Sequence, residues 1–399
     1  MTQNGQTYQQ KLQSNVWKLY ALGIIHWFLL VMPIIVLFYQ ENGLSIAQIM
    51  FLQGFASLVI VGIEIPSGYF ADHVGRKHSL LVGSILGFLG ALIYAFSFNL
   101  WGFLFAEFFI SLGMGFISGA DSALLYDSLE EIKKGELYKI IQGKLSALSS
   151  FSEGTASVIG GGLAIISLRT PFFVEAAVVF FSIFVALSLN EPKRHIAATP
   201  ESHGRQIWNT VKYVLNDHKK IKNLMWYGAF ISSATLTFVW LSQPYWKSMG
   251  VPLAMFGIIW AILQFIVGYF SIISHKIEKN FGRDRLLFYF IVLLALGYIS
   301  ISVFQSVWAI GFVVIFYIVR GVQEPLLKAY INELVPSQMR ATILSVKSFL
   351  GRIVFAVIGP FIGWSADVYT LSQAFLFSAI LFFVLGIIPL IFLYHGRQR

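Results

Sequence analysis

The stretch Gly68-Tyr-Phe-Ala-Asp-His-Val-Gly-Arg-Lys77 lies between two long apolar runs. Gly68 has no side chain, so a neighbouring helix can approach it closely, and Gly75 permits the tight turn that a short connection needs. Asp72 follows the end of the first run, where its carboxylate can cap a helix start or lie near the positive end of a neighbouring helix dipole. Arg76 and Lys77 anchor the turn on the inner side of a membrane.

The composition of the whole chain also indicates a membrane protein. Of 399 residues, 57% are hydrophobic and 12% are charged, whereas about 25% of the residues of a soluble domain are charged. Disorder does not explain the missing charge, because disordered chains are poor in aromatic residues and 16% of this chain is Phe, Trp or Tyr. The absence of cysteine excludes disulfides, thiolate metal sites and cysteine nucleophiles.

Apolar runs long enough to cross a bilayer, about 20 helical residues each, recur along the chain. They predict an all-α membrane protein with twelve transmembrane helices in two groups of six. The predicted spans are 17–39, 46–70, 79–98, 101–128, 140–166, 171–190, 223–247, 252–275, 286–304, 306–330, 341–366 and 371–395.

The distribution of basic residues predicts the orientation and the domains. With both termini inside (N-in/C-in), most of the 28 Lys and Arg residues lie in or near cytoplasmic connections, as the positive-inside rule requires. This bias accounts for the net charge of +9 without a nucleic-acid partner. We predict six-helix bundles at 1–190 and 223–399, joined by a cytoplasmic linker at 191–222. Apolar residues between Ile207 and Ile221 recur at helical spacing and predict an amphipathic helix on the membrane surface; a solvated linker is the alternative.

The two predicted bundles are internal repeats. Three pairs of similar segments, each about 200 residues apart, fall on equivalent helices or loops. A parallel repeat with a site between its halves near the bilayer midplane is a transporter architecture. The pairs are Gly119–Leu125 with Gly321–Leu327, Val158–Gly160 with Val357–Gly359, and Gly75-Arg76 with Gly282-Arg283.

The quoted stretch resembles the signature loop of the major facilitator superfamily, Gly-x-x-x-Asp-x-x-Gly-Arg-Lys, and lies between the second and third spans as in that family. The runs Glu64–Gly68 and Gly119–Asp127 resemble a bacterial branch whose members are mostly described as drug exporters. The resemblance covers nearly the whole chain. It implies a multi-pass monomer of the bacterial cytoplasmic (inner) membrane that contacts lipids and carries a small-molecule substrate.

The resemblance also implies that two domains rock against each other during transport. The signature loop would then act as a latch that helps to hold the cytoplasmic side closed. Asp72 would face the start of span eleven, and Arg76 would pair with Asp127 in span four. The second-half copy has Lys279 in place of Asp72, so we expect one full latch. The latch residues are Gly68, Asp72, Gly75, Arg76, Lys77 and Asp127.

The chain departs from the family pattern in two places, and the first departure weakens the assignment to export. Exporters often carry Gly-Pro-x-x-Gly-Gly in span five, and the corresponding run here, Ala156-Ser-Val-Ile-Gly-Gly161, lacks the Gly-Pro pair. Many proton-driven members carry an arginine in span four, where this chain has Phe109.

Ionisable residues inside the predicted spans are candidates for transport chemistry, because a charge in lipid costs several kcal/mol unless it is paired or faces water. Glu153 lies midway along span five, and the repeat maps it onto Arg352 in span eleven. A carboxyl group there, held neutral by desolvation, could release its proton when a cavity opens; the alternative is a structural pair of Arg352 with Glu64 or Asp72. The proton-coupling candidates are Glu153, Asp121, Glu107 and His26, although packing alone also explains His26.

The candidates for a substrate cavity are charged and aromatic. Arg320 and Glu324 are spaced i, i+4, so a local ion pair is the alternative to substrate contact. Trp240, Trp260 and Gln264 could line a pocket for a flat or greasy substrate. Lys347, near the inner face, is expected to pin a helix end. The full set of cavity candidates is Arg352, Arg320, Glu324, Trp240, Trp260 and Gln264.

The sequence lacks the phosphate-loop, His-Glu-x-x-His and Gly-x-Ser-x-Gly motifs. We therefore expect no enzyme activity, no catalytic residue, no metal and no cofactor, with a proton gradient as the driving force. The leading hypothesis is an antiporter of the multidrug-efflux kind that exports amphipathic or drug-like compounds. Transport of a metabolite, siderophore or lipid whose anionic group binds Arg352 and Arg320, or a non-transporting receptor on the same fold, are the alternatives.

Overall fold

The computed structural model describes residues 3–193, 218–304, 306–336 and 339–395, without the side chains of residues 3–7 and 341. All regular structure in these ranges is helical, which confirms the predicted all-α class. The α-helices are α1 (Gln3–His26), α2 (Ile35–Glu41), α3 (Ile46–His73), α4 (Arg76–Phe96), α5 (Leu100–Ile117), α6 (Ala120–Glu131), α7 (Tyr138–Ala164), α8 (Thr170–Ser188), α9 (Lys219–Ser248), α10 (Leu253–Phe281), α11 (Arg283–Val303), α12 (Val314–Leu334), α13 (Arg340–Val368) and α14 (Leu371–His395). Short 3₁₀ helices occupy Gly135–Leu137 and Val307–Val313.

Ten helical segments of the described residues are long and apolar enough to cross a membrane. They correspond to ten of the twelve predicted spans. The other two predicted spans, 17–39 and 140–166, are occupied by α1 with α2 and by α7. The total of twelve crossings and the N-in/C-in orientation stay predictions.

The described residues form two compact units. The first contains residues 3–38 and 56–193, and the second contains residues 39–55 and 218–395. The division therefore falls inside helix α3, whose first ten residues belong to the second unit. The predicted linker at 191–222 and its amphipathic helix lie mostly outside the described residues, and the predicted domain limits stay predictions.

The first unit depends on glycine for close packing of its helices. Helices α4 and α5 meet at Gly83 and Gly113, where a Cβ atom on Gly113 would lie 2.8 Å from the carbonyl oxygen of Gly83. Such contacts bring two backbones together and replace the missing hydrophobic drive for association in lipid. On one side of these helices, a core that includes Leu22, Leu80 and Leu124 joins α1, α4 and α6.

Two predicted spans of the first unit are not continuous helices. Helix α1 ends at His26 and α2 begins at Ile35; Pro33 lies in this interval and cannot donate a helical hydrogen bond. Span 101–128 is interrupted between α5 and α6, where Gly119 adopts a φ of 81° that glycine accepts without strain. Non-helical backbone at membrane depth occurs only inside protein or beside a water-filled cavity, so both breaks are places to look for function.

The second unit is built around α9, the most buried of the candidate spans. Phe238 of α9 stacks on Phe316 of α12 with ring centroids 4.1 Å apart. The hydroxyl of Tyr298 in α11 donates to the carbonyl oxygen of Ala234 at 2.7 Å. Helix α9 is therefore surrounded by neighbours, and its polar side chains lie in the interior of this unit.

Substitutions at two glycines of α7 should have different effects on stability. A Cβ atom at Gly160 would overlap the carbonyl group of Leu30, whereas a Cβ atom at Gly162 would meet nothing within 4 Å. We expect Gly160→Ala to lower the melting temperature, because such overlap costs about 1–3 kcal/mol. Gly162→Ala should leave it unchanged or raise it, since alanine favours a helix by about 1 kcal/mol over glycine. Thermal unfolding in detergent measures both, and equal effects would contradict the packing of α7 on residue 30.

Candidate functional site

The turn of the signature loop is closed by a carboxylate from a distant part of the chain. Gly75 adopts a φ of 133°, and α4 begins directly after it. The carboxylate of Glu191 accepts hydrogen bonds from the backbone N–H groups of Arg76 at 2.9 Å and Lys77 at 2.8 Å. A helix start has unpaired N–H groups and a positive dipole end, so Glu191 stabilises the beginning of α4.

Arg76 joins this loop to α6. Its guanidinium group forms an ion pair with Asp127 and donates to the carbonyl oxygen of Ala123 at 2.7 Å. The ion pair that the resemblance implied is therefore present, while its role as part of a latch stays a prediction. Asp72 is exposed at the end of α3, and its expected position opposite span eleven also stays a prediction.

The expected close approach of a helix at Gly68 is wrong for this structure. Gly68 lies on an exposed face of α3, and no described atom lies within 4 Å of a Cβ atom built on it. The close contacts of α3 lie elsewhere: near its beginning, as described below, and at Ile63, whose side chain packs directly against Gly115 of α5.

The second half repeats the arginine–acid pair although it lacks the aspartate of the loop. Gly282 adopts a φ of 79° before α11, and the Arg283 guanidinium lies 2.6 Å from a carboxylate oxygen of Glu333 in α12. Glu333 was not among the predicted site residues. It lies 206 residues after Asp127, so extending the repeat by one more pair would have identified it.

The break between α1 and α2 is held by α7 and α8. A carboxylate oxygen of Glu175 in α8 accepts a hydrogen bond from the backbone N–H of Val31 at 3.0 Å. Gly160 of α7 lies directly against the carbonyl of Leu30. His26 ends α1 at this break, and its Nε2 atom is buried without a hydrogen-bond partner among the described residues. Glu175 was not among the predicted site residues.

Glu153 lies near the same junction. It is buried on α7 next to Ser152, whose hydroxyl donates to the carbonyl oxygen of Ile24 in α1 at 2.7 Å. Two of the four predicted proton-coupling residues, Glu153 and His26, thus lie within two residues of the hydrogen bond that joins α1 and α7.

The other two proton-coupling candidates lie apart from this junction. Asp121 is in the first turn of α6, directly after the second break, and one of its carboxylate oxygens accepts the N–H of Ser122 at 2.6 Å. A carboxylate is favoured at such a helix start. Glu107 is buried between α4 and α5, where it accepts a hydrogen bond from the hydroxyl of Tyr94 at 2.6 Å.

The second unit contains an ion pair between two candidate spans. The ammonium group of Lys347 in α13 lies 2.9 and 2.8 Å from the two carboxylate oxygens of Glu324 in α12. The Lys347 side chain is 6% exposed and that of Glu324 is 58% exposed. The alternative of a local pair between Arg320 and Glu324 is therefore wrong, because Glu324 turns to the neighbouring helix.

Buried polar atoms without a hydrogen-bond partner also occur on α12 and on α9, both of which pack against α13. The amide nitrogen of Gln323 donates to the hydroxyl of Ser232 at 3.3 Å, while its Oε1 atom is buried without a partner among the described residues. The hydroxyls of Ser233 and Thr237 in α9 are also buried without a partner among the described residues. A buried polar atom without a partner is costly unless water or a ligand satisfies it.

The aromatic candidates do not form an open pocket in the second unit. Trp240 of α9 and Trp260 of α10 are both buried, whereas Gln264 is half-buried. Arg320 and Arg352 are also half-buried, and their predicted contact with an anionic group stays a prediction.

Comparison with known proteins identifies the family. The model of the Major Facilitator Superfamily matches residues 19–357. The chain belongs to the major facilitator superfamily. An "Uncharacterized MFS-type transporter YxaM" of Bacillus subtilis (strain 168) is 21% identical over 360 residues, 87% of this chain and 88% of that protein. An "Uncharacterized transporter" of Buchnera aphidicola subsp. Schizaphis graminum (strain Sg) is 25% identical over 183 residues, 46% of this chain and only 44% of that protein.

Solved structures show the same fold. A crystal structure of a mutant of the nucleoside transporter NupG superposes with a TM-score of 0.80 at 13% identity, covering 96% of this chain and 99% of that one. The D-xylose-proton symporter superposes with a TM-score of 0.73 at 13% identity and 97% coverage of both chains. The protein is therefore a secondary transporter of a small molecule rather than an enzyme, and it is a multi-pass protein of the bacterial inner membrane.

Neutral substitutions of the two basic residues in the loop, Arg76 and Lys77, should have different effects on stability, because only Arg76 forms an ion pair among the described residues. Arg76→Gln breaks the ion pair with Asp127, whose side chains are 23% and 30% exposed, and should reduce stability by roughly 1–2 kcal/mol. Lys77→Gln is the matched control, because the Lys77 ammonium group makes no ion pair among the described residues; it should change stability by less than about 0.5 kcal/mol. Equal melting temperatures for the two variants would show that the pair does not stabilise the loop.

Proposed function

We propose that this superfamily member is a proton-coupled transporter that works by alternating access and uses the proton gradient without a cofactor. The observation that carries the proposal is the ion pair of Glu324 and Lys347. A carboxylate that is more than half exposed on a membrane helix must face water or protein rather than lipid. Glu324 can therefore receive a proton, while Lys347 is buried beside it.

Protonation of Glu324 would change the state of Lys347. Loss of the carboxylate charge leaves a buried ammonium group without its counter-ion, which is unfavourable by several kcal/mol. An anionic group of a substrate can then replace Glu324 as the partner of Lys347. Protonation of Glu324 would therefore favour substrate binding to Lys347. By thermodynamic linkage, substrate binding favours protonation to the same extent, so proton and substrate binding are coupled.

The surroundings of the pair favour a polar substrate. The unpartnered oxygens of Gln323, Ser233 and Thr237 lie on the two helices next to Lys347, and such atoms select solutes that can hydrogen-bond. We therefore propose a small metabolite with an anionic or hydroxyl-rich group as the substrate. That the same fold serves a nucleoside transporter and a D-xylose-proton symporter supports this class of substrate.

Export of amphipathic or drug-like compounds is the second candidate. It rests on the resemblance of the signature loop and its flanking runs to drug exporters. The burial of Trp240 and Trp260 removes the aromatic surface that suggested greasy substrates, so this candidate has less support than the first.

The first experiment measures flux into liposomes that contain the purified protein, with an imposed pH gradient. The probes are uridine, D-xylose, a small organic acid and the dye-like cation ethidium. Gradient-dependent movement of a polar probe supports the first proposal, and movement of ethidium alone supports drug export. No gradient-dependent flux of any probe in either direction would favour the receptor alternative.

A second prediction concerns the coupling residue. Glu324→Gln should reduce the response of the flux to the pH gradient at least tenfold, about 1.4 kcal/mol of coupling, because the proton acceptor is lost. Lys328→Gln is a matched control on the exposed surface of the same helix, one turn later, and should leave the response unchanged. If Glu324→Gln retains full coupling, Glu324 is not the proton site.

The buried Glu153 beside the α1–α7 junction is the second candidate for the proton. Glu153→Gln should leave coupling intact if Glu324 carries the proton, and should abolish it if Glu153 does. The same flux assay, run on both variants at equal protein amounts, decides between the two carboxyls.

A further inference from the structure

The beginning of α3 is held by a carboxylate of α13. One carboxylate oxygen of Asp367 accepts the backbone N–H of Ile46 at 2.9 Å, and the other accepts that of Ala47 at 2.7 Å. Both N–H groups belong to the first turn of α3 and have no partner within their own helix. Asp367 thus binds the positive end of the α3 dipole with both of its oxygens.

The two helices touch through their backbones below this contact. A Cβ atom on Gly363 of α13 would lie 2.8 Å from the Cα atom of Ala47. Further along, a Cβ atom on Gly54 of α3 would lie 3.0 Å from the Cα atom of Ala356. Contacts between small residues bring two helices close without interlocked side chains, so the surfaces can part without repacking. The hydrogen bonds of Asp367 are the polar contact that resists this separation.

Helix α3 does not need Asp367 in order to begin. Ser45 and Gln48 form a reciprocal capping box, in which the Ser45 hydroxyl accepts the N–H of Gln48 at 3.3 Å and the Gln48 side chain accepts the N–H of Ser45 at 3.0 Å. A capping box is a complete local start signal for a helix. The contact with Asp367 is therefore an additional, tertiary contact.

The two ends of α3 carry two acids in different states. At the end of α3, Asp72 of the signature loop is exposed and makes no ion pair among the described residues. At the beginning of α3, Asp367 of α13 accepts the hydrogen bonds of Ile46 and Ala47. The repeat offset of 199 places Leu168 at the position equivalent to Asp367, so the first half of the sequence supplies no second copy of this acid.

We propose that Asp367 is a second latch, which holds the beginning of α3 against α13 in this state and releases it once in every transport cycle. The proposal rests on alternating access as proposed above. It assigns opposite ends of one helix to two separate latches, Asp72 and Asp367.

A labelling experiment tests the latch directly. The chain has no cysteine, so a single cysteine introduced at Met50 is a unique probe. Met50 is buried and lies between Ala47 and Gly54 on the same face of α3. The rate at which a polar maleimide labels Met50→Cys, in purified protein in detergent, then reports how often α3 leaves α13.

Asp367→Asn should increase the labelling rate about tenfold, because the loss of charge weakens both hydrogen bonds. Glu41→Gln is the matched control: it removes an exposed carboxylate close to the start of α3 that makes no ion pair among the described residues. The control should label at the original rate. Rates within twofold of each other in the two variants, at unchanged melting temperature, would overturn the proposal.

Gly363→Ala provides an independent variant should Asp367→Asn fail to fold. The added Cβ atom pushes the two backbones apart, so labelling of Met50→Cys should again accelerate, and an unchanged rate would also overturn the proposal. Labelling requires neither substrate nor proton gradient. Accelerated labelling together with absent transport would therefore contradict the proposed function while leaving the latch intact.

Discussion

Backbone N–H groups at a helix start or in a helix break have no hydrogen-bond partner within their own helix, and this constraint organises much of the structure. Three carboxylates meet it. Glu191 binds the start of α4, Asp367 binds the start of α3, and Glu175 binds the N–H of Val31 in the break between α1 and α2. In each case the carboxylate comes from a part of the chain remote in sequence, so one interaction satisfies local polar groups and also ties two elements together.

Charged side chains are few in the apolar spans for a related reason: a charge in lipid is costly unless it is paired or faces water. Glu324 and Lys347 satisfy each other across two helices, and Arg76 and Asp127 do so at the signature loop. Polar atoms without such partners, such as Oε1 of Gln323, stand beside a charged pair. The cost of burying a polar atom without a partner is the basis on which we propose that substrate binds there.

The fold followed from the sequence to a large extent, because hydropathy reports burial in lipid directly. The pair of Arg76 and Asp127 was also accessible, since both residues belong to segments that resemble family motifs. The pair of Glu324 and Lys347 was not, because the sequence does not show which faces of α12 and α13 meet; the i, i+4 spacing pointed to Arg320 instead. Pro33 could have predicted the break after α1, since proline interrupts a helix. The break was not predicted because residues 17–39 form one continuous apolar run.

Helix α3 has 28 residues, so it is about 42 Å long. A rigid rod of this length acts as a lever. A tilt of about 10° around its centre moves each end by about 4 Å, in opposite directions, whereas a hydrogen bond tolerates only a few tenths of an ångström. A rotation too small to disturb the packing at the middle of α3 is thus enough to break the hydrogen bonds that Asp367 makes with its beginning. In the proposed alternating-access cycle, the length of α3 would therefore convert a small tilt into release of the Asp367 contact.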